Sequence, residues 1–348
     1  MQDETQVPLA PLTTLGLGGP ARRVVTAASS RDLISAVAEV DAQGEPLLVL
    51  AGGSNVVLPD EGFAGTVVLV RSTGVATLRD GTGAVRLTVQ AGESWDGLVA
   101  RCVDDGLSGI EALSGIPGSV GGTPIQNVGA YGQEVAETIT AVRVYDRTSR
   151  AVVELLNADC RFAYRQSALK GSERYVVLEV GFALTPELHG RALRYAELAT
   201  ALGEGIGGRA RLPDVRAAVL ALRRRKGMVL DPADPDTYSA GSFFTNPILS
   251  AAMFDAVARV AGVPPPGWPS SGGGVKASAA WLIEQAGFAK GYARGRVAIS
   301  TKHTLALTNR GGATTADLLA LAREIRDGVR ARFGVTLAAE PTLIGTQL

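Results

Sequence analysis

Apolar positions fall in short runs separated by glycine-rich and polar turns, and their spacing predicts a mixed chain of helices and strands. Residues 22–27 read as a strand. Ser30 then caps a helix with Leu33, Ile34, Val37 and Ala38 on one face, and Gly44 supplies its stop. The apolar run 47–51 reads as a strand, the glycine and polar residues after it as a loop, and 66–70 as another strand. This predicts a small β-α-β unit with a polar loop at the carboxyl end of a strand, where α/β folds place ligands. Residues 1–20 read as a leader. Its Gly-x-Gly has no preceding strand and a misplaced third glycine, which excludes a dinucleotide fingerprint.

Further strands are predicted at 85–90, 141–146, 151–155 and 175–184, with 146–149 as a turn. Ser94 is placed to cap a helix over 94–105. Residues 185–212 change character and read as a connection to a further domain. Beyond it the pattern predicts helices at 214–226, 276–286 and 315–333, the last stopped by Gly334. It also predicts a strand at 303–308, a final strand over 335–344, a Pro/Asp-rich loop at 231–239 and a flexible loop at 262–274.

One stretch fits neither period. Residues 109–134 hold seven glycines, two prolines and almost no charge. Glycine lets backbone approach a ligand closely, and successive N–H groups in such turns make anion-binding concavities. The stretch also carries Ser114, Ser119, Gln126 and Asn127, able to bond a phosphate or a heterocycle. A turn-rich connection between strands is the plainer alternative.

Composition narrows the classes. At 348 residues the chain has room for two or three domains. It is 46% hydrophobic and 20% charged, which reads as globular. With 34 basic and 34 acidic residues, no global field favours nucleic acid or a membrane surface. Cys102 and Cys160 form no metal-type or redox spacing and read as buried small residues. No apolar run approaches a membrane span and no signal peptide opens the chain, so a cytoplasmic protein is the expectation.

The candidate chemistry is sparse. Arg165, in FAYRQS, offers a planar fork for carboxylate or phosphate; a surface arginine would have the same spacing. Ser242 sits at a tight turn before two phenylalanines. With only two histidines in the chain and no Gly-x-Ser-x-Gly, it reads as a turn cap or a proton donor, and hydrolase chemistry is poorly supported. Arg223 to Lys226 end a helix, as a macrodipole complement or a diphosphate clamp. Glu340 lies in a largely apolar segment, where a carboxylate needs a partner or a proton of its own unless it faces water. His303 opens an apolar run and reads as a satisfied histidine. No metal motif is present.

Taken together, seven segments resemble the UDP-N-acetylenolpyruvoylglucosamine reductase family. They are TTLGLGG (13–19), LAGGSN (50–55), GIPGSVGGTPIQNVGAYGQE (115–134), CRFAYRQSALK (160–170), AGSFFTNP (240–247), KASAAWLIEQAG (276–287) and AAEPTLIG (338–345). Their order and spacing make the set specific over nearly the whole chain. The resemblance implies an α+β fold: a vanillyl-alcohol-oxidase-type FAD-binding region in two subdomains, 1–75 and 76–212, and an α+β substrate domain, 213–334. The last residues, 335–348, would pack back near the flavin.

The same resemblance implies NADPH-dependent reduction of UDP-N-acetylglucosamine enolpyruvate through non-covalent FAD, in peptidoglycan precursor synthesis, by a monomer. FAD would be held by Gly52, Gly53, Ser54, Asn55, Ser114, Ile116, Pro117, Gly118, Ser119, Gly122, Asn127, Gly129 and Ala130. Arg165, Ser242 and Glu340 would be catalytic. Tyr131, Tyr164, Tyr195, Arg223, Lys226, Asn246 and His303 would meet the nucleotide sugar. Tyr195 matches the substrate-closing tyrosine of the longer-loop type, and His303 departs from members with glutamine there. Rival expectations are an alcohol or sugar oxidase of the same superfold, or a non-catalytic nucleotide-sugar sensor.

Overall fold

A computed structural model describes residues 1–79, 81, 83–270 and 272–348. The chain divides into two compact units. The first comprises Met1–Val7, Ala21–Gly53 and Ala64–Arg225, the second Pro8–Pro20, Ser54–Phe63 and Lys226–Leu348. These limits differ from the expected boundaries at 75 and 212.

In the first unit, a four-stranded sheet takes the spatial order Gln2–Pro8, Pro20–Ala27, Phe63–Val70, Leu47–Leu50, with the last two parallel. Helix α1 (Ser30–Gln43) buries Leu33, Ala36, Val37 and Val40. Its cap is Ser29, extended at φ −146°, whose hydroxyl accepts the Asp32 N–H; the expected cap, Ser30, instead donates to Gln90 Oε1 at 2.8 Å. Gly44 ends the helix at φ 67°, a left-handed position that glycine takes without strain. The supposed leader is not one: its start is the edge strand of this sheet.

A larger antiparallel sheet follows, ordered Ala151–Leu156, Ile139–Asp146, Tyr175–Pro186, Val85–Gln90, Val75–Arg79. Its alternating inner residues join helix α2 (Trp95–Asp104), capped by Ser94 as the spacing predicted, in one core around Trp95 and Phe182. Helices α3 (Ala196–Ala201) and α4 (Leu212–Arg225) also belong to this unit. The expected assignment of 213–225 to a substrate domain therefore does not match the packing. The apolar stripe Val215, Val219 and Leu222 is buried against Leu193, Leu198 and Ala112, and that contact fixes the helix here.

The second unit is built on α5 (Ala251–Ala261), α6 (Ala279–Gln285) and α7 (Thr315–Phe333) with short sheets. Helix α7 supplies the core stripe Leu318, Leu321, Ala322, Ile325, Val329 and Phe333. Thr314 and Asp317 form a reciprocal capping box at its start, and Gly334 ends it. Within the loop expected at 262–274, Gly267–Pro269 is a short strand, and Ser271 lies outside the described residues. The strand expected at 303–308 is instead Leu307–Asn309, with His303 in the turn before it. The strand expected over 335–344 shortens to Thr342–Leu343, which pairs in parallel with Val56–Val57. Pro341 has no N–H to offer a ladder; before it Ala339 bridges Phe244, and after it the chain pairs with Val56–Val57. Residues 13–17 are tied into this unit: Thr14 Oγ1 donates to the Ser239 carbonyl at 2.6 Å, and Asn309 Nδ2 to the Leu15 carbonyl at 3.0 Å.

Asp236, 3% exposed, braces this unit. Its carboxylate accepts from Thr301 N–H at 3.0 Å, Thr301 Oγ1 at 2.6 Å and Arg310 Nη2 at 2.7 Å. Burial alone would raise its pKa, but these bonds and the Arg310 charge outweigh burial and hold it below the usual value of 3.8. A depressed carboxyl stabilises the fold above its unfolded pKa and loses that contribution as pH falls through the folded one. Asp236→Asn is expected to destabilise the protein by about 3 kcal/mol at neutral pH. In chemical denaturation across pH, the gap from the parent should close below pH 3.8; a pH-independent gap would count against the charge.

Candidate active site

In the first unit the site grows from residues 109–134. The stretch turns through short 3-10 segments, Glu111–Leu113 and Val120–Gly122, and closes in a hairpin pairing Gly129–Ala130 with Gln133–Glu134. Tyr131 and Gly132 fill the hairpin corner at φ 49° and 84°. Three buried or half-buried polar groups pin it. Asp96 on α2 accepts the Gly115 N–H at 2.6 Å and a two-pronged contact from Arg216 on α4 at 2.6 and 3.0 Å. Burial works against the Asp96 carboxylate, but Arg216 and the Gly115 N–H hold its pKa below the ordinary value. Glu111, 1% exposed, accepts the N–H groups of Gly109 and Arg191 and the Gln133 amide. Asn127 bridges to Glu134 at 2.8 Å and to the Ala163 carbonyl at 3.0 Å.

The two glycine loops meet backbone to backbone. A Cβ on Gly52 would lie 2.5 Å from Gly118 Cα and 3.2 Å from Ser119 N. Beside this contact, the Ser119 hydroxyl is buried without a hydrogen-bond partner among the described residues. A buried hydroxyl left unbonded is costly, so this place suits a polar ligand atom. A Cβ on Gly122 would meet nothing within 4 Å, so the wall there is open.

The stretch also gathers the expected substrate residues of this unit. Tyr131 packs edge-on to Tyr195 with ring centroids 5.4 Å apart. Burial pushes the Tyr131 phenol up to about 12 against the opposing pull of the Arg223 charge, so it stays protonated. Arg223, 7% exposed on α4, flanks Gly115 and has its pKa lowered by burial, against the charges of Tyr131 and Asp96. Arg165, at φ 54°, donates Nη2 to the Gly129 carbonyl at 2.9 Å and lies over the Tyr164 ring at 5.6 Å. An arginine held in the left-handed region costs roughly 1–3 kcal/mol, a strain that recurs at functional sites.

Some expected cofactor side chains are already engaged. Ser114 Oγ donates to the Glu111 carbonyl at 2.7 Å, and the Asn127 amide bonds to three protein groups. Ile116 and Ala130 pack against the core, and Gly129 gives its carbonyl to Arg165. Gly53, at φ 59°, ends the Ala21–Gly53 segment of the first unit. Cys102 and Cys160 are buried free thiols, which burial pushes up to about 12 and about 11.

In the second unit, Ser242, Glu340 and His303 come together through backbone. Ser242 bridges Ala306, Phe243 N–H donates to the Leu305 carbonyl at 2.7 Å, and Glu340 N–H donates to the Phe243 carbonyl at 2.8 Å. The His303 carbonyl accepts the Ala306 N–H at 3.0 Å, closing the turn beside Ser242. Ser242, Glu340 and His303 are half-buried. Asn246 Oδ1 accepts the Ala279 N–H at the start of α6, a structural duty the sequence did not suggest. Ser54, Asn55 and Lys226 also belong to this unit, and the Asn55 carbonyl accepts the Thr342 N–H at 3.0 Å. Sequence reasoning passed over Asp96, Glu111, Glu134 and Asp236, because a buried carboxylate serving as a brace follows no motif.

Residues 232–344 match the family described as UDP-N-acetylenolpyruvoylglucosamine reductase, C-terminal domain, and residues 21–153 match the FAD binding domain. A UDP-N-acetylenolpyruvoylglucosamine reductase of Thermobifida fusca is 62% identical over 98% of this chain and 98% of its own. The chain belongs to the UDP-N-acetylenolpyruvoylglucosamine reductase family. A reductase of the same name from Streptomyces coelicolor is 56% identical over all of this chain and 92% of its own. The crystal structure of the Thermus caldophilus UDP-N-acetylenolpyruvylglucosamine reductase aligns at TM-score 0.63, with 25% identity and 98% of both chains covered. As a member of this family the protein is an FAD-dependent oxidoreductase. The expected fold class holds. The buried Ser119 hydroxyl and the glycine contact beside it fit a cofactor brought close to bare backbone.

Gly52→Ala is expected to overpack the contact with Gly118 by about 1–3 kcal/mol. The flavin-to-protein absorbance ratio after purification and the melting temperature should both fall. A variant with full flavin and an unchanged melt would show that the two loops have room for a methyl group.

Proposed function

We propose that this protein reduces UDP-N-acetylglucosamine enolpyruvate to UDP-N-acetylmuramate with NADPH, in the supply of peptidoglycan precursors. The full-length likeness to reductases of that name carries the reading. Bound FAD would supply the redox chemistry, taking hydride from the nicotinamide and returning it to C3 of the enolpyruvyl group. The residues of the chain do the rest.

Arg165 binds the enolpyruvyl carboxylate and stabilises the negative charge that develops as C3 gains hydride. Its fork is held by the Gly129 carbonyl and is therefore oriented before substrate arrives. Glu340 shares that work, with a proton between it and the substrate carboxylate if they touch. Ser242 gives its proton to C2. A serine hydroxyl is a weak acid, but a carbanionic carbon is a far stronger base, so the transfer runs downhill. Tyr164 and His303 line the enolpyruvyl end. Tyr131, Tyr195, Arg223, Lys226 and Asn246 hold the nucleotide part, and Tyr195, 41% exposed, closes over it.

FAD would be held without a covalent link by Gly52, Gly53, Ser54, Asn55, residues 114–122, Gly129 and Ala130. Two buried thiols with raised pKa values support this, because a cysteinyl tether needs an accessible thiolate. The enzyme acts as a cytoplasmic monomer on small molecules, without nucleic acid. No helix among the described residues is long and apolar enough to cross a membrane.

The test is the visible spectrum followed anaerobically. Flavin absorption should bleach on NADPH and return on addition of UDP-N-acetylglucosamine enolpyruvate. Bleaching without return would reject this substrate and favour another acceptor. In Ser242→Ala, bleaching by NADPH should proceed at the parent rate while the return slows by about 10²-fold or more. Equal slowing of both phases would remove Ser242 as the proton donor.

A further inference from the structure

Arg165 stands at the corner of a tight turn. Ala163 N–H donates to the Gln166 carbonyl at 3.0 Å, and Gln166 N–H to the Ala163 carbonyl at 3.1 Å, so Tyr164 and Arg165 fill the corner. At φ 54°, Arg165 keeps this conformation only because its surroundings impose it. Those surroundings can be followed bond by bond. Lys170 Nζ donates to the Arg165 carbonyl at 3.0 Å, and Ser167 Oγ just beyond the turn donates to the Ile125 carbonyl at 2.6 Å. Arg165 Nη2 donates to the Gly129 carbonyl at 2.9 Å.

A further tie is Asn127. Its Nδ2 donates one hydrogen to the Ala163 carbonyl at 3.0 Å and the other to Glu134 Oε2 at 2.8 Å. Its Oδ1 accepts the Ala136 N–H at 3.2 Å. Both donor hydrogens are therefore committed within the protein. Asn127 sits at φ 43°, a region where asparagine is among the few side-chain-bearing residues tolerated. Glu134 is the register partner of Gly129. A Cβ on Gly129 would lie 2.8 Å from Glu134 Cγ and 3.5 Å from Arg165 Nη1, so the two side chains flank one glycine. The hairpin carrying Tyr131 and the turn carrying Arg165 thus form one body. Asn127 joins them at one corner and the guanidinium of Arg165 at the other.

We infer that Asn127, oriented by Glu134, is a positioning residue for Arg165. It acts on the substrate carboxylate through the aim of the guanidinium and not through contact with the cofactor. Recognition of a carboxylate by a planar fork depends on orientation, so a turn freed at Ala163 keeps the charge and loses the geometry. The inference rests on the assignment of Arg165 to the enolpyruvyl carboxylate.

The test is isothermal titration calorimetry of the oxidised FAD-bound protein with two ligands: UDP-N-acetylglucosamine enolpyruvate, and UDP-N-acetylglucosamine, which lacks the carboxylate. The parent should prefer the first. Asn127→Asp, close in shape but without the amide donors, should lose about tenfold of that preference while binding the second ligand as before. Glu134→Gln still offers Asn127 an acceptor and should keep the preference. Combining Asn127→Asp with Glu134→Gln restores the 127–134 bond with donor and acceptor exchanged, yet leaves the Ala163 carbonyl without its side-chain donor. The preference should stay lost, and this pair carries the test if Asn127→Asp does not fold. Full preference in either variant carrying Asn127→Asp overturns the positioning role alone, as does equal weakening of both ligands or loss of bound FAD. No preference in the parent overturns the carboxylate assignment of Arg165 itself.

Discussion

Two stretches of backbone that touch with no side chain between them set the geometry of the first unit. Gly52 and Gly118 come so close that a single Cβ would stand 2.5 Å from the opposite Cα. Glycine permits that approach, but it also leaves the chain with many alternative conformations and much entropy to lose on folding. The stretch 109–134 forms no helix or strand of any length, so short turns and side chains must satisfy the backbone groups that a regular ladder would. Asp96, Glu111 and Gln133 supply side-chain bonds to it from α2, from the loop itself and from the closing hairpin.

This explains how a loop almost without charge is built around carboxylates. Asp96 and Glu111 do not point to catalysis; Asp96 collects one backbone N–H and the Arg216 guanidinium, and Glu111 two backbone N–H groups and the Gln133 amide. The same pattern recurs in the second unit. There Asp236 ties the Pro/Asp-rich loop ahead of Ser242 to Thr301 and Arg310. Ser242 and Glu340, nearly a hundred residues apart in the chain, are then aligned through the backbone of Phe243. In both units the reactive candidates sit on short, irregular segments, and carboxylates bonded to backbone N–H and side-chain groups brace the loops beside them.

Much of the secondary structure was legible from periodicity and punctuation. The helices ended by Gly44 and Gly334, the helix capped by Ser94 and the strand Val85–Gln90 all follow from local rules. The misreadings share a cause. Ser29 and Ser30 are chemically equivalent candidates, and only the extended backbone at Ser29 decides which one caps. Residues 2–8 look like a polar leader because an edge strand needs little hydrophobicity once a neighbour supplies its ladder. Helix α4 was grouped with the wrong unit because an amphipathic stripe shows that a helix is buried and not what buries it. For the site, the glycine stretch and Arg165 were visible as candidates. The engaged side chains of Ser114, Asn127 and Asn246 were not, since a polar residue in sequence does not reveal whether its bonds are spent inside the protein.

The sequence by itself determined many of the helices and strands, where bare backbone is required, and, through the order of its motifs, the family. These are properties of neighbouring residues and of spacing along one chain. The tertiary structure alone decided the φ of 54° at Arg165, the amide bridge from Asn127 to Ala163 across 36 residues, and the alignment of Glu340 with Phe243. Each of these depends on groups far apart in the chain meeting within hydrogen-bonding distance. Hydrogen bonds are short-ranged and directional, and sequence separation carries almost no information about which distant donor will find which acceptor.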